Sequence, residues 1–525
     1  MKVFQKNGDG EGITNPKYVM ALDVGTSVLR CHIYDSHGFI IGASSRKLEI
    51  EHPKPGWFEI DPFKLFDDSC AVVKSSLAAA GLQASQVTSM GIATQRNTFV
   101  TWDRETGEVY HKMITWQDLR ASEAVASWNS SYTLKALNKS AKLLHFFTRR
   151  NRHKAASVLK FMSKQVTMRL LWVLTNIPNV KRRAFEGNVM FGCIETWLLW
   201  KLSGKKLHAT DYSCASTTGI FDPYSMEWSP IVCGLVDIPM SMLPEIRDTS
   251  GDFGTTEPDL FGAPIPIKSL VADQQGSMFG QCCFYVGDVK CTMGTGTFID
   301  MNTGKIPHAS IAGLYPLVGW SIGGKVTYLA EGHSADTGNV MGWANSIGLL
   351  DDVTQSSSLA ASVPDSGGVC FVPAYSGLQA PVNDDKACTS IFGLKLGTTK
   401  AHLVRAMLES MAFRFKILYE TFITETKIPL SCICADGGVS TNDFLMQLMA
   451  DVTNQSIERS ADSDMTSRGA AFLAGLASDV WKSQEELKAM RKIDKVFEPA
   501  DTWSKVRSSF YLWERAVSRS LNWYR

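Results

Sequence analysis

A strand, a turn rich in glycine and hydroxyl side chains, and a second strand occur twice in this chain. The first copy surrounds Asp23-Val24-Gly25-Thr26-Ser27 and the second surrounds Thr292-Met293-Gly294-Thr295-Gly296-Thr297. Glycine has no Cβ and tolerates positive φ, so backbone N–H groups and hydroxyls in such a turn can approach a phosphate closely. Two copies point to a nucleotide held between related halves. At 525 residues the chain is long enough for two or three domains with filled cores.

The surrounding pattern is α/β. Tyr18 to Val24 and Leu29 to Tyr34 read as strands, with Phe39 to Ala43 a third, and together they predict an antiparallel meander. Asp61 to Ala80 has helical spacing of apolar residues, opens on Asp-Pro and runs into Gly81. Met90 to Thr94 is the next buried strand. The same order restarts near Asp288 and reaches Gly475, which divides the chain near Gly280 into domains 18–280 and 281–525.

With 53 basic and 52 acidic residues, the net charge of +1 gives no electrostatic case for nucleic acid or an acidic membrane as the main partner, and a small-molecule partner fits better. Twelve cysteines are scattered without a CxxC or CxH run, so neither a zinc site nor a disulfide scaffold is expected, and Cys282-Cys283 reads as core thiol. The first seventeen residues are polar, and no later window is long and apolar enough for a transmembrane segment. The expected compartment is reducing and cytoplasmic. One segment, Lys135 to Arg169, interleaves Arg149, Arg150, Arg152 and Lys154 with Leu143, Leu144, Phe146, Phe147 and Phe161. Either a contact with an anionic membrane or a partner, or a solvated surface insertion, accounts for it.

Four groups of polar residues stand at the ends of apolar strands. Asp23, beside a phosphate-accepting turn, is suited to hold Mg²⁺ through its waters, although a plain hairpin uses the same residues. Gln95-Arg96-Asn97-Thr98 offers a guanidinium and amides to a ligand with several hydroxyls, or is an ordinary surface loop. Asp273, after the run Ile265 to Val271, is either an N-cap or a base for an attacking alcohol. In Asp436-Gly437-Gly438-Val439-Ser440-Thr441-Asn442, after the strand Leu430 to Cys434 and before the amphipathic run Phe444 to Val452, two glycines let a flat ring lie against the backbone. A tight βα loop with Asn442 starting the helix accounts for them equally.

Taken in order, these residues resemble the FGGY carbohydrate-kinase family, glycerol kinase branch, over nearly the whole chain. Further collinear segments are His52-Pro53-Lys54-Pro55-Gly56-Trp57, Trp116-Gln117-Asp118-Leu119-Arg120 and Phe371-Val372-Pro373-Ala374-Tyr375-Ser376-Gly377-Leu378. The resemblance implies duplicated actin-like ATPase domains of the ribonuclease H-like type, with a cleft between them. It implies Asp273 as catalytic base and acceptor contact, with Arg96, Asn97 and Gln274 around the acceptor. Asp23 would organise the metal. Thr26, Ser27, Arg30, Gly294, Thr295, Gly296, Gly338, Gly438 and Asn442 would meet the nucleotide. ATP and Mg²⁺ are the implied cofactors, glycerol the implied polyol, and a homo-oligomer is compatible.

The departures from that pattern fall mainly on the acceptor side. Asn97 stands where glycerol kinases commonly carry Glu, and Thr217 where they carry Arg. Gly342 replaces a Gln, Asn383 replaces a Trp, and a substrate-contacting Tyr has no counterpart in Phe161 to Leu171. Exchanging a charged hydrogen-bond acceptor for a neutral one weakens acceptor binding roughly tenfold. The expected activity is transfer of phosphate from ATP to glycerol. A kinase for another small polyol or ketose, and a catalytically weak ATP-binding regulator, are the alternatives.

Overall fold

The computed structural model describes residues 16–500 and 503–524, so most of the polar first seventeen residues lie outside the described residues. The first sheet begins with β1 (Tyr18–Val24), β2 (Val28–Tyr34) and β3 (Ile40–Lys47), paired antiparallel in the expected meander. The third strand runs four residues further than the sequence predicts. It lies at the sheet edge, where polar Ser44 to Lys47 can pair with β2 and still face water. Helix α1 (Pro62–Ala80) follows. Asp61 caps it by accepting from the Phe63 and Lys64 N–H groups, and Gly81 stops it at φ 66°. Strands β4 (Val87–Thr94) and β5 (Ile267–Ala272) complete the order β5-β4-β1-β2-β3, with β4 parallel to both β1 and β5. Helix α2 (Asp273–Gly280) leaves β5 directly.

The second sheet repeats this plan. It contains β6 (Asp288–Met293), β7 (Thr297–Gly304), β8 (Tyr315–Ile322) and β9 (Lys325–Ser334). Helices α3 (Gly338–Ser346) and α4 (Lys400–Thr426) precede β10 (Cys432–Asp436). Helix α5 (Asp443–Thr453), β11 (Ile457–Ser460), α6 (Met465–Ala477) and β12 (Ile493–Phe497) follow. Its order is β8-β9-β7-β6-β10-β11-β12. The inner five, β9-β7-β6-β10-β11, match β3-β2-β1-β4-β5 in neighbour and direction. The fold is therefore the duplicated actin-like one.

Helices α2 and α6 occupy the same place in the two repeats and cross at backbone contact. A Cβ on Gly469 would stand 1.8 Å from the Gly276 carbonyl oxygen, and one on Gly280 would stand 2.1 Å from that of Met465. Helix α6 also lies on the first sheet, where a Cβ on Gly91 would meet the Ala470 carbonyl oxygen at 2.1 Å. Glycine is required at this junction because no side chain fits, and the two halves are held together here. All twelve cysteines are free thiols, and Cys282 and Cys283 are buried in the core shared with α6. No described helix is long and apolar enough to cross a membrane.

Candidate active site

Asp23, the last residue but one of β1, lies directly opposite Arg30 on β2. Arg30 Nη1 lies 3.3 Å from Asp23 Oδ2, while Oδ1 is buried without a hydrogen-bond donor. Burial pushes this carboxyl up to about 7; Arg30 opposes the shift, and the neighbouring Asp273 and Asp464 carboxylates add to it. A buried carboxylate oxygen lacking a donor, close to two more carboxylates, fits a hydrated divalent cation, which would supply the missing positive charge. Asp464 also meets Arg30, at 3.4 Å. In the adjoining turn, Gly25 N–H donates to Val28 O, Gln95 Nε2 donates to Gly25 O, and the Trp116 indole donates to Thr26 Oγ1 at 3.3 Å. Ser27 is exposed beside it.

Asp273 opens α2. It accepts from the Gln274 N–H at 2.8 Å, and Arg96 Nε stands 3.5 Å from Oδ1. Burial raises the Asp273 carboxyl, with Arg96 and the Gln274 N–H pulling it back. Arg96 Nη1 bonds Glu331 Oε2 at 2.6 Å, and the guanidinium lies 5.7 Å from the Phe298 ring centre. Burial pulls the guanidinium down, but Glu331 and Asp273 more than offset this. On the far side, Lys290 pairs with Asp300 at 2.9 Å, both fully buried, and Lys290 also holds the Gln274 side-chain oxygen. Burial raises Glu331 to about 7 against Arg96, with Asp300 adding to the rise. The chain Asp23, Asp273, Arg96, Glu331 thus runs from the first repeat into the second.

Two departures from the family pattern meet each other. Asn97, in the left-handed region at φ 63°, accepts from Thr217 Oγ1 at 3.0 Å through Oδ1. A neutral pair stands where the resemblance implies Glu and Arg. In the Phe161 to Leu171 segment, where the resemblance implies a tyrosine, Lys164 Nζ lies 3.3 Å from His333 Nε2 and 6.0 Å from the Trp116 ring centre. His333 stacks between Phe298 and Tyr315. Burial brings it down to about 3, so the ring is neutral and accepts from Lys164. Among the described residues Lys164 has no carboxylate at ion-pair distance.

The second turn is closed by Gly294 N–H on Gly296 O, at 2.9 Å. The Gly338 N–H at the start of α3 reaches Gly294 O at 3.0 Å. A Cβ on Gly338 would sit 2.5 Å from that same oxygen, so α3 can approach the turn only through glycine. Thr295 is exposed at the tip. Asp436 lies inside β10 rather than in the loop after a strand ending at Cys434; it pairs with Thr292 and accepts from the side chains of Thr292, Ser277 and Gln281. Gly437, at φ 89°, turns the chain, and Gly438 has open space where a Cβ would be. The Asn442 side chain caps α5, accepting from Leu445 N–H and donating to Ser356 Oγ, so Gly438 is the free surface here.

The sequence could not pick out Asp464, Lys290, Asp300, Glu331 or His333. Lys290 between Val289 and Cys291, Asp300 between Ile299 and Met301, and Glu331 after Leu329 and Ala330 are charges set directly beside apolar strand residues, and that is the available signal. Asp464 sits in an ordinary helix start and gains its place only by contact with Arg30.

This site lies within matches to two family models. The N-terminal domain model of the FGGY family of carbohydrate kinases covers residues 18–280, and the C-terminal domain model covers residues 289–478. The chain belongs to the FGGY family of carbohydrate kinases. Within the family it is similar to glycerol kinase 5 of Danio rerio, 51% identical with 99% of each chain covered. It is also similar to glycerol kinase 5 of Homo sapiens, 50% identical over 97% of this chain and 96% of the relative. Among solved structures, Plasmodium falciparum glycerol kinase with ADP is similar at a TM-score of 0.88 and 30% identity, covering 96% of this chain and 98% of that one. The two-domain FGGY architecture accounts for the repeated sheets.

Proposed function

We propose that this FGGY kinase transfers the γ-phosphate of ATP to a primary hydroxyl of a small polyol, with glycerol as the first acceptor to test. The carrying observation is that Asp273 belongs to one charged network with the Asp23 carboxylate at the first turn and with Arg96 and Glu331 across the cleft. The substrate named for the relatives and the ADP of the Plasmodium enzyme support the same reading. In it, residues 18–280 provide the acceptor side and first turn, and residues 281–525 provide the nucleotide side. Catalysis takes place in the cytoplasm.

Thr26, Ser27, Thr295 and the glycine N–H groups of both turns bind the phosphates, and Arg30 adds charge. Asp23 would hold Mg²⁺ through water, and the cation when bound neutralises phosphate oxygens. Gly438 gives the base and ribose a flat backbone surface. Arg96 and Gln274 orient the polyol, and Glu331 fixes Arg96 from the second repeat. Asp273 accepts the hydroxyl proton as the oxygen moves onto phosphorus; its raised carboxyl makes it a better acceptor than a free aspartate. A closed cleft keeps water from taking the phosphate.

The test follows labelled γ-phosphate from MgATP onto glycerol. Wild type yields glycerol phosphate in step with ADP. Asp273→Asn lowers turnover by about 10²- to 10⁴-fold while ATP binding persists. Release of free phosphate without labelled polyol refutes the reading.

A further inference from the structure

The first part of the basic segment Lys135 to Arg169 folds as a helix over Tyr132–Thr148, a reversal at Arg149 with φ 56°, and a short helix over Asn151–Ala156. The long helix is anchored by buried Leu134 and Ala141 and half-buried Leu137, Asn138 and His145, a single stripe at helical spacing. Its other face carries Leu143, Leu144, Phe146 and Phe147, all exposed, with Phe147 74% accessible. Their three- and four-residue spacings make them one patch. The two phenyl rings meet edge-on at 5.4 Å, and the Arg149 guanidinium sits 5.4 Å from the Phe146 ring centre.

Charge is equally uneven. From Ala124 to Phe185 there are 13 Lys and Arg residues and no Asp or Glu, leaving 40 basic against 52 acidic residues elsewhere in the chain. Lys135, Lys139, Lys142, Arg149, Arg150, Arg152 and Lys154 all fall on this hairpin. Among the described residues only Arg152 of these has an ion-pair partner, Asp222 at 2.6 Å. Cations without ion-pair partners around an exposed apolar patch match an interface with anionic headgroups above acyl chains. A nucleic acid would use the cations and leave four large apolar side chains in water.

We propose that the 132–154 hairpin is a docking surface for an anionic lipid bilayer. Leu143, Leu144, Phe146 and Phe147 enter the headgroup boundary, and the lysines and arginines pair with lipid phosphate and carboxylate groups. The surface is independent of the catalytic assignment, because none of its residues belongs to the cleft network.

The experiment sediments the full-length protein with vesicles of phosphatidylcholine alone or with about 30 mol % phosphatidylserine. Binding is expected to be at least about tenfold stronger to the anionic vesicles and to fall on raising salt to about 0.5 M. Replacing Leu144, Phe146 and Phe147 together by Ser lowers binding about tenfold or more; these side chains are exposed, so melting temperature and phosphotransfer stay at wild-type values. Arg149→Glu with Arg150→Glu lowers it comparably. Equal binding to neutral vesicles, no binding to either, or unaltered binding by both variants overturns the proposal. Competition by polyglutamate or RNA that removes the protein from vesicles at equal charge would instead assign the surface to a soluble polyanion.

Discussion

Replacing Asp23 with Asn should make the ligand-free protein more stable. In the folded chain this carboxyl titrates at about 7 rather than 3.8. A gap of about three pH units corresponds to about 4 kcal/mol when the group is forced to ionise. The sign follows from proton counting. Between those two values the folded state keeps a proton that the unfolded chain has lost, so the penalty is absent below 3.8, grows with pH and is complete above 7. Asn keeps the volume and removes the charge. Arg30 loses one of its two carboxylate partners in exchange and keeps Asp464, so the net gain at pH 8 is about 2 kcal/mol. Urea unfolding of the apo protein at pH 8 and pH 5 measures it: the variant midpoint lies above wild type at pH 8, and the difference shrinks by more than half at pH 5. Added MgATP reverses the order, because only wild type can use Asp23 to hold the cation. A variant less stable than wild type at pH 8, or a difference independent of pH, would refute the view of Asp23 as a buried carboxylate awaiting a cation.

Arg96→Ala leaves Glu331 and Asp273 without their shared cation and should cost about 3 kcal/mol, the low end for a broken buried pair because Glu331 can take up a proton; urea midpoints report it. Gly338→Ala drives a methyl toward the Gly294 carbonyl oxygen, so the KM for ATP should rise about tenfold while the KM for glycerol changes little, as steady-state kinetics would reveal. Lys164→Met removes a cation that, among the described residues, has no carboxylate at ion-pair distance, and should raise the acceptor KM about tenfold at constant ATP affinity, measured by titrating glycerol at saturating MgATP.

What the sequence made legible was mostly local. The Asp61-Pro62 start and Gly81 stop of α1 are satisfied by neighbours in the chain, and apolar runs such as Val19 to Leu22 leave little choice but a buried strand. The two Gly-Thr turns and Asp273 were also readable, because each stands where an apolar strand ends. The rest depended on contacts distant in sequence. Glu331 gains its role from Arg96, 235 residues away, and the sequence of β9 says nothing about that pairing. Lys164 and His333 reach each other only after the two halves pack. Asn442 offered both a nucleotide contact and a helix start, and its side-chain hydrogen bonds belong to the helix start. Residues 135–169 were legible as a basic amphipathic stretch, but which part stayed uncovered was not: Phe161 is buried, while Leu143, Leu144, Phe146 and Phe147 are exposed.

The most direct test of the account is a crystal structure with Mg²⁺, a non-hydrolysable ATP analogue and glycerol. The account predicts the triphosphate between the Gly25–Ser27 and Gly294–Gly296 turns, the cation's waters on Asp23, and a glycerol hydroxyl on Asp273 in line with the γ-phosphorus. A nucleotide bound away from either turn, or an acceptor hydroxyl out of hydrogen-bond reach of Asp273, would contradict it.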